Sequence, residues 1–372
     1  MTGFDLSSML RFPRFSSKDG VQRLRKSYKD NPDDVQNALD FARALEANKE
    51  YNEAISLLQR LIDAGTADEG TYLLAASCLK GNSDLEGALS VLKQAEQKLP
   101  SSVAVKYSLG QALGAMERYD EALEVQQEAV RLDSGSAEAH FRLGVTHANM
   151  GSLEEALNEY QKTIDLDPLH ARAHTNVGFV LDRLGYHEDA IEAFKRAIEL
   201  DPESAEGHYN LGAVYGDQGL YREAIAEFKA AIDIDPNSPE AHFNLGVAYL
   251  DGGRLDDALS AFKRTFQLNP RNPRASYYLG QVYLRKGIYD LAIDNFKRCI
   301  VYDPNDARAH YFLGLAYNRI DEVDRAIEAF ETVTRLMPED CKAYYYLGIA
   351  YDKKGLPTKA RDSYATADRL LK

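Results

Sequence analysis

The sequence lacks tryptophan and contains few cysteines. Of its 372 residues none is tryptophan, and the three cysteines are Cys78, Cys299 and Cys341. An odd number of widely spaced cysteines fits neither a disulfide framework nor a zinc site with closely paired thiols. We therefore expect reduced, structural thiols in a cytoplasmic protein.

Long apolar runs and an excess of basic charge are also missing. No stretch approaches the roughly 18 consecutive apolar residues of a membrane-spanning helix, so the sequence predicts no membrane span. The formal net charge is −14 at pH 7. A nucleic-acid-binding protein shows a basic footprint, so this charge argues against a nucleic-acid partner and favours a protein partner.

What the sequence does contain is a strict internal period of 34 residues. An alanine column recurs at Ala54, Ala88, Ala122, Ala156, Ala190, Ala224, Ala258, Ala292, Ala326 and Ala360. A glycine column recurs at Gly110, Gly144, Gly178, Gly212, Gly246, Gly280, Gly314 and Gly348. A proline column recurs at Pro168, Pro202, Pro236, Pro270, Pro304 and Pro338. Three interlocking columns with one period indicate a repeat protein.

Each repeat has the pattern of two helices. Residues 205–218 carry small and apolar side chains at i, i+3, i+4 and i+7, which is one helical face, and Gly219 ends that run. A second apolar face follows over 222–235, and Pro236 ends it because proline cannot continue a helix interior. A single pair of helices cannot bury its apolar face, whereas stacked pairs can. The sequence therefore predicts a solenoid of helix pairs.

The unit AEGHYNLGAVYGDQGLYREAIAEFKAAIDIDP, which begins at Ala205, resembles a tetratricopeptide repeat. This resemblance implies an all-α fold, a right-handed α-solenoid or superhelix of about ten helix-turn-helix repeats. The repeats are 35–68, 69–102, 103–136, 137–170, 171–204, 205–238, 239–272, 273–306, 307–340 and 341–372. The long array is similar to that of the O-linked N-acetylglucosamine transferases, but no residues remain for a catalytic domain.

Outside the repeats, the pattern predicts a loose N-terminal tail over residues 1–18 and a capping helix over 19–34. The solenoid itself is expected to span 35–372. Its first two repeats depart from the pattern, because alanine replaces the column glycine and leucine replaces the column aromatic. The four residues are Ala42, Ala76, Leu58 and Leu92. The aromatic column is phenylalanine at Phe194, Phe228, Phe262, Phe296 and Phe330.

No motif for catalysis, cofactor binding or metal binding emerges. The glycines belong to the repeat and form no phosphate loop, nucleophile elbow or dinucleotide fingerprint. The histidines form one column, at His140, His174, His208, His242 and His310. Neighbouring helices pack about 8–10 Å apart, whereas zinc ligands lie about 2 Å from the ion, so this column indicates packing. We expect a protein that is not an enzyme and holds neither metal nor cofactor.

The resemblance assigns ligand binding to the face of each first helix that lies opposite its core face, which lines the concave side in tetratricopeptide proteins. We call this face the first-helix stripe. Its candidate binding residues are Arg172, Asn176, Arg183, Glu206, Asn210, Asp217, Glu240, Asn244, Asp251, Arg274, Tyr278, Arg285, Arg308, Phe312, Arg319, Lys342, Tyr346 and Lys353.

Two features of the stripe suggest how it binds. Both of its edges are acidic in repeats 205–238 and 239–272 and basic in the three repeats from 273 to 372. Asn176, Asn210 and Asn244 also form a column similar to the asparagine ladder with which the transferases hold a peptide backbone. The two-carboxylate clamp of the family's chaperone adaptors is not predicted, because only Lys342 fits its pattern.

These observations favour a non-catalytic scaffold or adaptor that holds an extended partner segment, acidic and aromatic in character, in the groove. Two alternatives stay open at this point. One is a structural protein that self-assembles head to tail, with acidic repeats of one copy against basic repeats of the next. The other is a helper subunit of a separate enzyme such as a glycosyltransferase.

Overall fold

A computed structural model describes residues 18–32 and 34–371. Of the predicted tail, residues 1–17 lie outside the described residues. Every regular element in the described ranges is an α-helix, and the described residues fall into two compact units, which lie within 1–185 and 186–372. The prediction of an all-helical protein built from consecutive helix pairs is therefore confirmed.

The bounds of the helices follow the two-helix pattern of the repeats. The first unit contains α1 Lys18–Asp30, α2 Val35–Ala47, α3 Tyr51–Asp63, α4 Glu69–Gly81, α5 Leu85–Lys98, α6 Val103–Ala115, α7 Tyr119–Leu132, α8 Ala137–Asn149, α9 Leu153–Leu166 and α10 Ala171–Arg183. The second contains α11 His187–Leu200, α12 Ala205–Asp217, α13 Tyr221–Ile234, α14 Pro239–Asp251, α15 Leu255–Leu268, α16 Pro273–Arg285, α17 Tyr289–Tyr302, α18 Ala307–Arg319, α19 Val323–Leu336, α20 Cys341–Lys353 and α21 Pro357–Leu370. Even-numbered helices from α2 to α20 are the first helices of the repeats.

Local sequence explains where a first helix starts and stops. The Ser238 hydroxyl accepts a hydrogen bond from the Ala241 amide at 3.2 Å, and Pro239 occupies the first turn of α14. This side chain satisfies an amide that has no partner within the helix, and proline loses nothing at that position. After α12, Gly219 adopts a φ of 73°, a left-handed conformation that glycine reaches without a steric penalty. The chain therefore turns sharply into the second helix.

The core lies between successive helices of each unit. The column phenylalanines Phe228, Phe262, Phe296 and Phe330 are at most 2% exposed, and each packs beside the column glycine of its own repeat. At Gly246 a Cβ atom would lie 2.7 Å from Phe262 Cε1, so glycine lets α14 approach α15 closely. Each second helix also packs on the first helix of the following repeat, as α13 does on α14. Packing of this kind leaves the opposite face of each first helix open to solvent.

At the N-terminal side, α1 overlaps the predicted capping segment 19–34 but begins at Lys18, the last residue of the predicted tail 1–18. This helix packs on α2, and Val21 is 1% exposed within a cluster that includes Leu39 and Phe41. Arg25 also pairs with Glu50 at 2.9 Å and with Glu53 at 2.6 Å. Helix α1 thereby packs on α2 in the way that the second helix of a repeat packs on the first helix of the next repeat.

Candidate functional site

In unit 186–372 the first-helix stripe runs across α12, α14, α16, α18 and α20. All ten of its edge residues are exposed, and the residues between the edges are half-buried. The stripe residues of α10 belong to the other unit. There Arg172 lies 4.9 Å from the Phe141 ring centroid, Arg183 lies 5.9 Å from that of Phe179, and both are exposed.

The edges of α12 and α14 carry four exposed carboxylates, which we call the acidic sector. These residues are Glu206, Asp217, Glu240 and Asp251. In the part of the chain that the structure describes, none of the four forms an ion pair. Four unpaired carboxylates along one face repel one another weakly and attract cations.

The edges of α16, α18 and α20 carry six exposed cations, which we call the basic sector. These residues are Arg274, Arg285, Arg308, Arg319, Lys342 and Lys353. Two of the guanidinium groups lie over aromatic rings of the preceding first helix. Arg274 is 4.4 Å from the Phe243 ring centroid, and Arg308 is 5.2 Å from that of Tyr277. Cation–π attraction therefore orients these two side chains before any partner arrives.

Two cations on the C-terminal edge of the basic sector also make contacts with the preceding repeat. Arg285 Nη1 lies 3.5 Å from the carbonyl oxygen of Leu250, near the end of α14. Lys353 Nζ donates to the carbonyl of Asn318 at 2.8 Å and pairs with Asp321 at 2.8 Å. A cation at the C-terminal end of a helix is stabilised by the helix dipole. Part of the charge order that sequence reasoning assigned to binding therefore has a role in joining repeats.

Arg319 and Lys342 differ from their neighbours in the basic sector. Within the described ranges, neither side chain forms an ion pair, a side-chain hydrogen bond or a ring contact. Lys342 contributes only its backbone amide to a hydrogen bond, which Asp340 accepts at 2.9 Å. Their charges are therefore the most available of the sector.

The aromatic centre of the basic sector is half-buried, which sequence reasoning did not anticipate. Each of its rings stacks on a column phenylalanine of the preceding repeat. The centroid distances are 5.2 Å for Tyr278 on Phe262, 5.9 Å for Phe312 on Phe296 and 5.9 Å for Tyr346 on Phe330. One face of each ring belongs to the packing between repeats, so only the remaining ring surface is open to a partner.

The asparagine column is likewise partly occupied. Asn244 Nδ2 donates to the Tyr209 hydroxyl at 2.9 Å. Asn176 lies near the hydroxyl of Tyr160, and burial raises the pKa of that hydroxyl to about 12. Asn210 lies half-buried at the same position of α12. An amide has both a donor and an acceptor, so Asn244 keeps its carbonyl oxygen for a ligand after this bond.

Each histidine of the column joins its first helix to the turn before that helix. In every member the ring Nε2 lies within hydrogen-bond distance of the carbonyl six residues earlier. These distances are 3.2 Å for His140, 3.2 Å for His174, 3.3 Å for His208, 3.1 Å for His242 and 3.0 Å for His310. Over the described residues, no group of three or more histidine, cysteine or acidic side chains is arranged to hold a metal ion. The recurring proline turns before these helices are the signal that could have predicted this role.

Five other positions in the same register carry a different residue: Ala38, Tyr72, Lys106, Ser276 and Tyr344. Lys106 of α6 is 2% exposed, and it pairs with Glu96 at 3.2 Å and Glu128 at 2.8 Å. Two carboxylates offset the cost of burying one ammonium group. In α6 this position therefore also has a structural role.

Comparison with known families identifies the repeat directly. A family model described as "Tetratricopeptide repeat" matches residues 107–171, 243–301, 289–340 and 320–370, which together exceed half of the chain. A model described as "TPR repeat" matches 183–219 and 217–252. A third, described as "Anaphase-promoting complex, cyclosome, subunit 3", matches 48–129. No curated protein matches the chain.

Several solved structures resemble parts of the chain. The crystal structure of MamA is 32% identical over 43% of this chain and 94% of its own, with a TM-score of 0.42. YrrB, described as a TPR protein with an unusual peptide-binding site, is 24% identical over 50% of this chain and 95% of its own, with a TM-score of 0.45. The C-terminal part of a TPR repeat-containing protein from Cytophaga hutchinsonii is 18% identical over 65% and 99%, with a TM-score of 0.55, and shows the shared fold. Among the helices described, none is long and apolar enough to cross a membrane.

Proposed function

Because the chain belongs to the tetratricopeptide repeat family, we propose that it is a non-catalytic scaffold that holds an extended segment of a partner protein along its first-helix stripe. The segment is acidic and aromatic where it meets the basic sector. The observation that carries this proposal is the basic sector itself. In a protein of net charge −14, all six edge positions of three consecutive first helices are exposed cations.

The arrangement favours binding by several weak contacts together. An exposed charge pair contributes only about 0–1 kcal/mol, so no single cation can hold a partner. Arg274 and Arg308 lose less conformational freedom on binding, because aromatic rings already orient them. The half-buried Leu315 and Ile349 add apolar surface between the edges. A segment that alternates acidic and aromatic side chains satisfies both kinds of contact.

The chemistry of the chain supports a binding role in the cytoplasm. The Nε2 atoms of the histidine column face turn carbonyls, so they are occupied in structure. Cys78 and Cys299 are buried, and burial raises the pKa of each thiol to about 12. Thiols of this kind are inert structural groups, which suits a reducing compartment.

Charge reversal at the two most available cations tests the proposal. The double variant Arg319→Glu, Lys342→Glu should weaken binding of a labelled acidic-aromatic peptide by about tenfold, equivalent to ~1.4 kcal/mol. The measurement is fluorescence anisotropy with the complete chain, and circular dichroism checks that helical content is unchanged.

The matched control reverses two exposed cations on second helices, Lys263→Glu in α15 and Arg335→Glu in α19. It changes the net charge by the same amount but lies off the stripe, so affinity should stay within about twofold of wild type, given the weakness of distant screened charges. Equal losses in both variants would mean that net charge alone attracts the peptide. Absence of binding to the wild-type chain would overturn the proposed function.

A further inference from the structure

Resting on the proposed function, we propose that the partner segment is bipolar: one continuous extended stretch with a basic block against the acidic sector and an acidic block against the basic sector. The partner is thus a second protein whose charge order mirrors that of the stripe. Neither a uniformly acidic nor a uniformly basic segment matches the whole surface.

The acidic sector and the basic sector form one surface. Helices α12 and α14 are in contact, as are α16 and α18, and α18 and α20. Across the change of sign, Tyr278 of α16 packs against Phe243 of α14 with ring centroids 5.2 Å apart. Arg285 also reaches the end of α14 at the Leu250 carbonyl. The two sectors therefore adjoin with no intervening helix on the stripe.

The two sectors do not neutralise each other where they meet. Asp251 ends the acidic sector and Arg285 begins the basic one on the same edge. Over the described ranges these two side chains form no ion pair, since Arg285 points to a backbone carbonyl instead. The carboxylate of Asp251 and the guanidinium of Arg285 therefore do not neutralise each other, and each can pair with a charge of opposite sign on a partner.

The spacing of the first helices matches the length of an extended chain. Packed helices lie about 8–10 Å apart, and an extended chain advances about 3.3 Å per residue, so each first helix corresponds to about three residues. The basic block of the partner therefore covers about six residues over α12 and α14. The acidic block covers about nine residues over α16, α18 and α20.

Complementary order then determines specificity. A uniformly acidic segment gains from the basic sector and is repelled by the acidic sector, and a uniformly basic segment has the opposite difficulty. A segment in which positive and negative residues alternate places part of its charge against like charge however it is aligned along the stripe. Like-charge contacts are the usual means by which an interface rejects incorrect partners.

Three labelled peptides of about 15 residues test the inference on the complete chain. The block peptide has a lysine-rich block followed by an acidic-aromatic block. The scrambled peptide has the same composition with alternating signs, and the acidic-only peptide has neutral residues in place of lysine. The block peptide should bind about tenfold more tightly than the scrambled one and several-fold more tightly than the acidic-only one.

A charge reversal in the acidic sector completes the design. The variant Glu240→Lys, Asp251→Lys should abolish the advantage of the block peptide over the acidic-only peptide. The matched control Asp233→Lys, Asp294→Lys changes exposed carboxylates on α13 and α17 and should retain that advantage.

The outcomes separate this inference from the proposed function. If the acidic-only peptide binds as tightly as the block peptide, the bipolar partner is wrong while the scaffold function stands. If no peptide binds, both fail. Sedimentation equilibrium of the chain without peptide supplies the last outcome. The bipolar partner would be wrong if the mass rises above 41.6 kDa with concentration and falls back in both charge-reversed variants, Arg319→Glu, Lys342→Glu and Glu240→Lys, Asp251→Lys. That result would assign the two sectors to contact with a second copy of this chain.

Discussion

Gly246 and Gly216 lie in neighbouring first helices but meet different surroundings. A Cβ at Gly246 would lie 2.7 Å from Cε1 of Phe262, whereas nothing lies within 4 Å of a Cβ at Gly216. The first glycine is required by close packing with the second helix, and the second is not. At the scale of single residues, column position therefore decides whether glycine stabilises the repeat.

Alanine substitution at these two positions should have opposite effects. Gly246→Ala forces Phe262 to shift and should lower the free energy of unfolding by about 1–3 kcal/mol. Gly216→Ala should raise it by about 0.5–1 kcal/mol, because glycine is a poor helix former. Urea denaturation followed by circular dichroism measures both. A Gly246→Ala chain as resistant to urea as the wild type would contradict the packing that we describe.

At the scale of elements, the helix pairs before residue 137 keep the packing pattern less well than later pairs. Gln126 of α7 occupies the aromatic column, is 2% exposed, and its Oε1 has no hydrogen-bond partner among the described residues. Lys49, Ser83 and Glu117 adopt positive φ where later repeats mostly have glycine. Buried unpaired polar atoms and strained turns both lower local stability. The hydroxyl of Ser276 in α16 is also buried and unpaired, so the turns with positive φ carry most of the expected difference.

Hydrogen exchange should therefore be faster in α2–α7 than in α12–α17. Repeats are coupled mainly to their nearest neighbours, so a weak pair opens without the rest of the array. Amide exchange by mass spectrometry, resolved to single helices, measures this difference. Uniform protection from residue 35 to residue 372 would contradict it.

The same elements indicate how far sequence reasoning extends. The glycine, phenylalanine and proline columns predicted the helix pairs, because one period is imposed on every repeat by the same packing. The stacking of Tyr278 on Phe262 and the contact of Arg285 with the Leu250 carbonyl were missed. Both depend on how a side chain of one repeat meets the repeat before it, and a pattern within a single repeat does not contain that information.

At the scale of the whole molecule, charge is distributed unevenly on an acidic protein. The basic sector concentrates six cations on three helices while the formal net charge is −14. The screening length is about 8 Å at physiological ionic strength, which is close to the spacing of neighbouring helices, so each sector acts locally. We therefore expect the affinity for a partner to depend on which first helix each partner residue faces, with little contribution from the net charge of the molecule.

Photo-crosslinking with the block peptide tests the central claim most directly. A photoreactive residue is placed in the complete chain at one of two stripe centres, Ala213 of α12 or Leu315 of α18, or at exposed Lys263 or Arg335 on second helices. We expect Ala213 to crosslink to the lysine-rich block, Leu315 to crosslink to the acidic-aromatic block, and the second-helix sites to give no product above background. Equal crosslinking from the second-helix sites, or none from the two stripe centres, would contradict the claim that the first-helix stripe holds the partner.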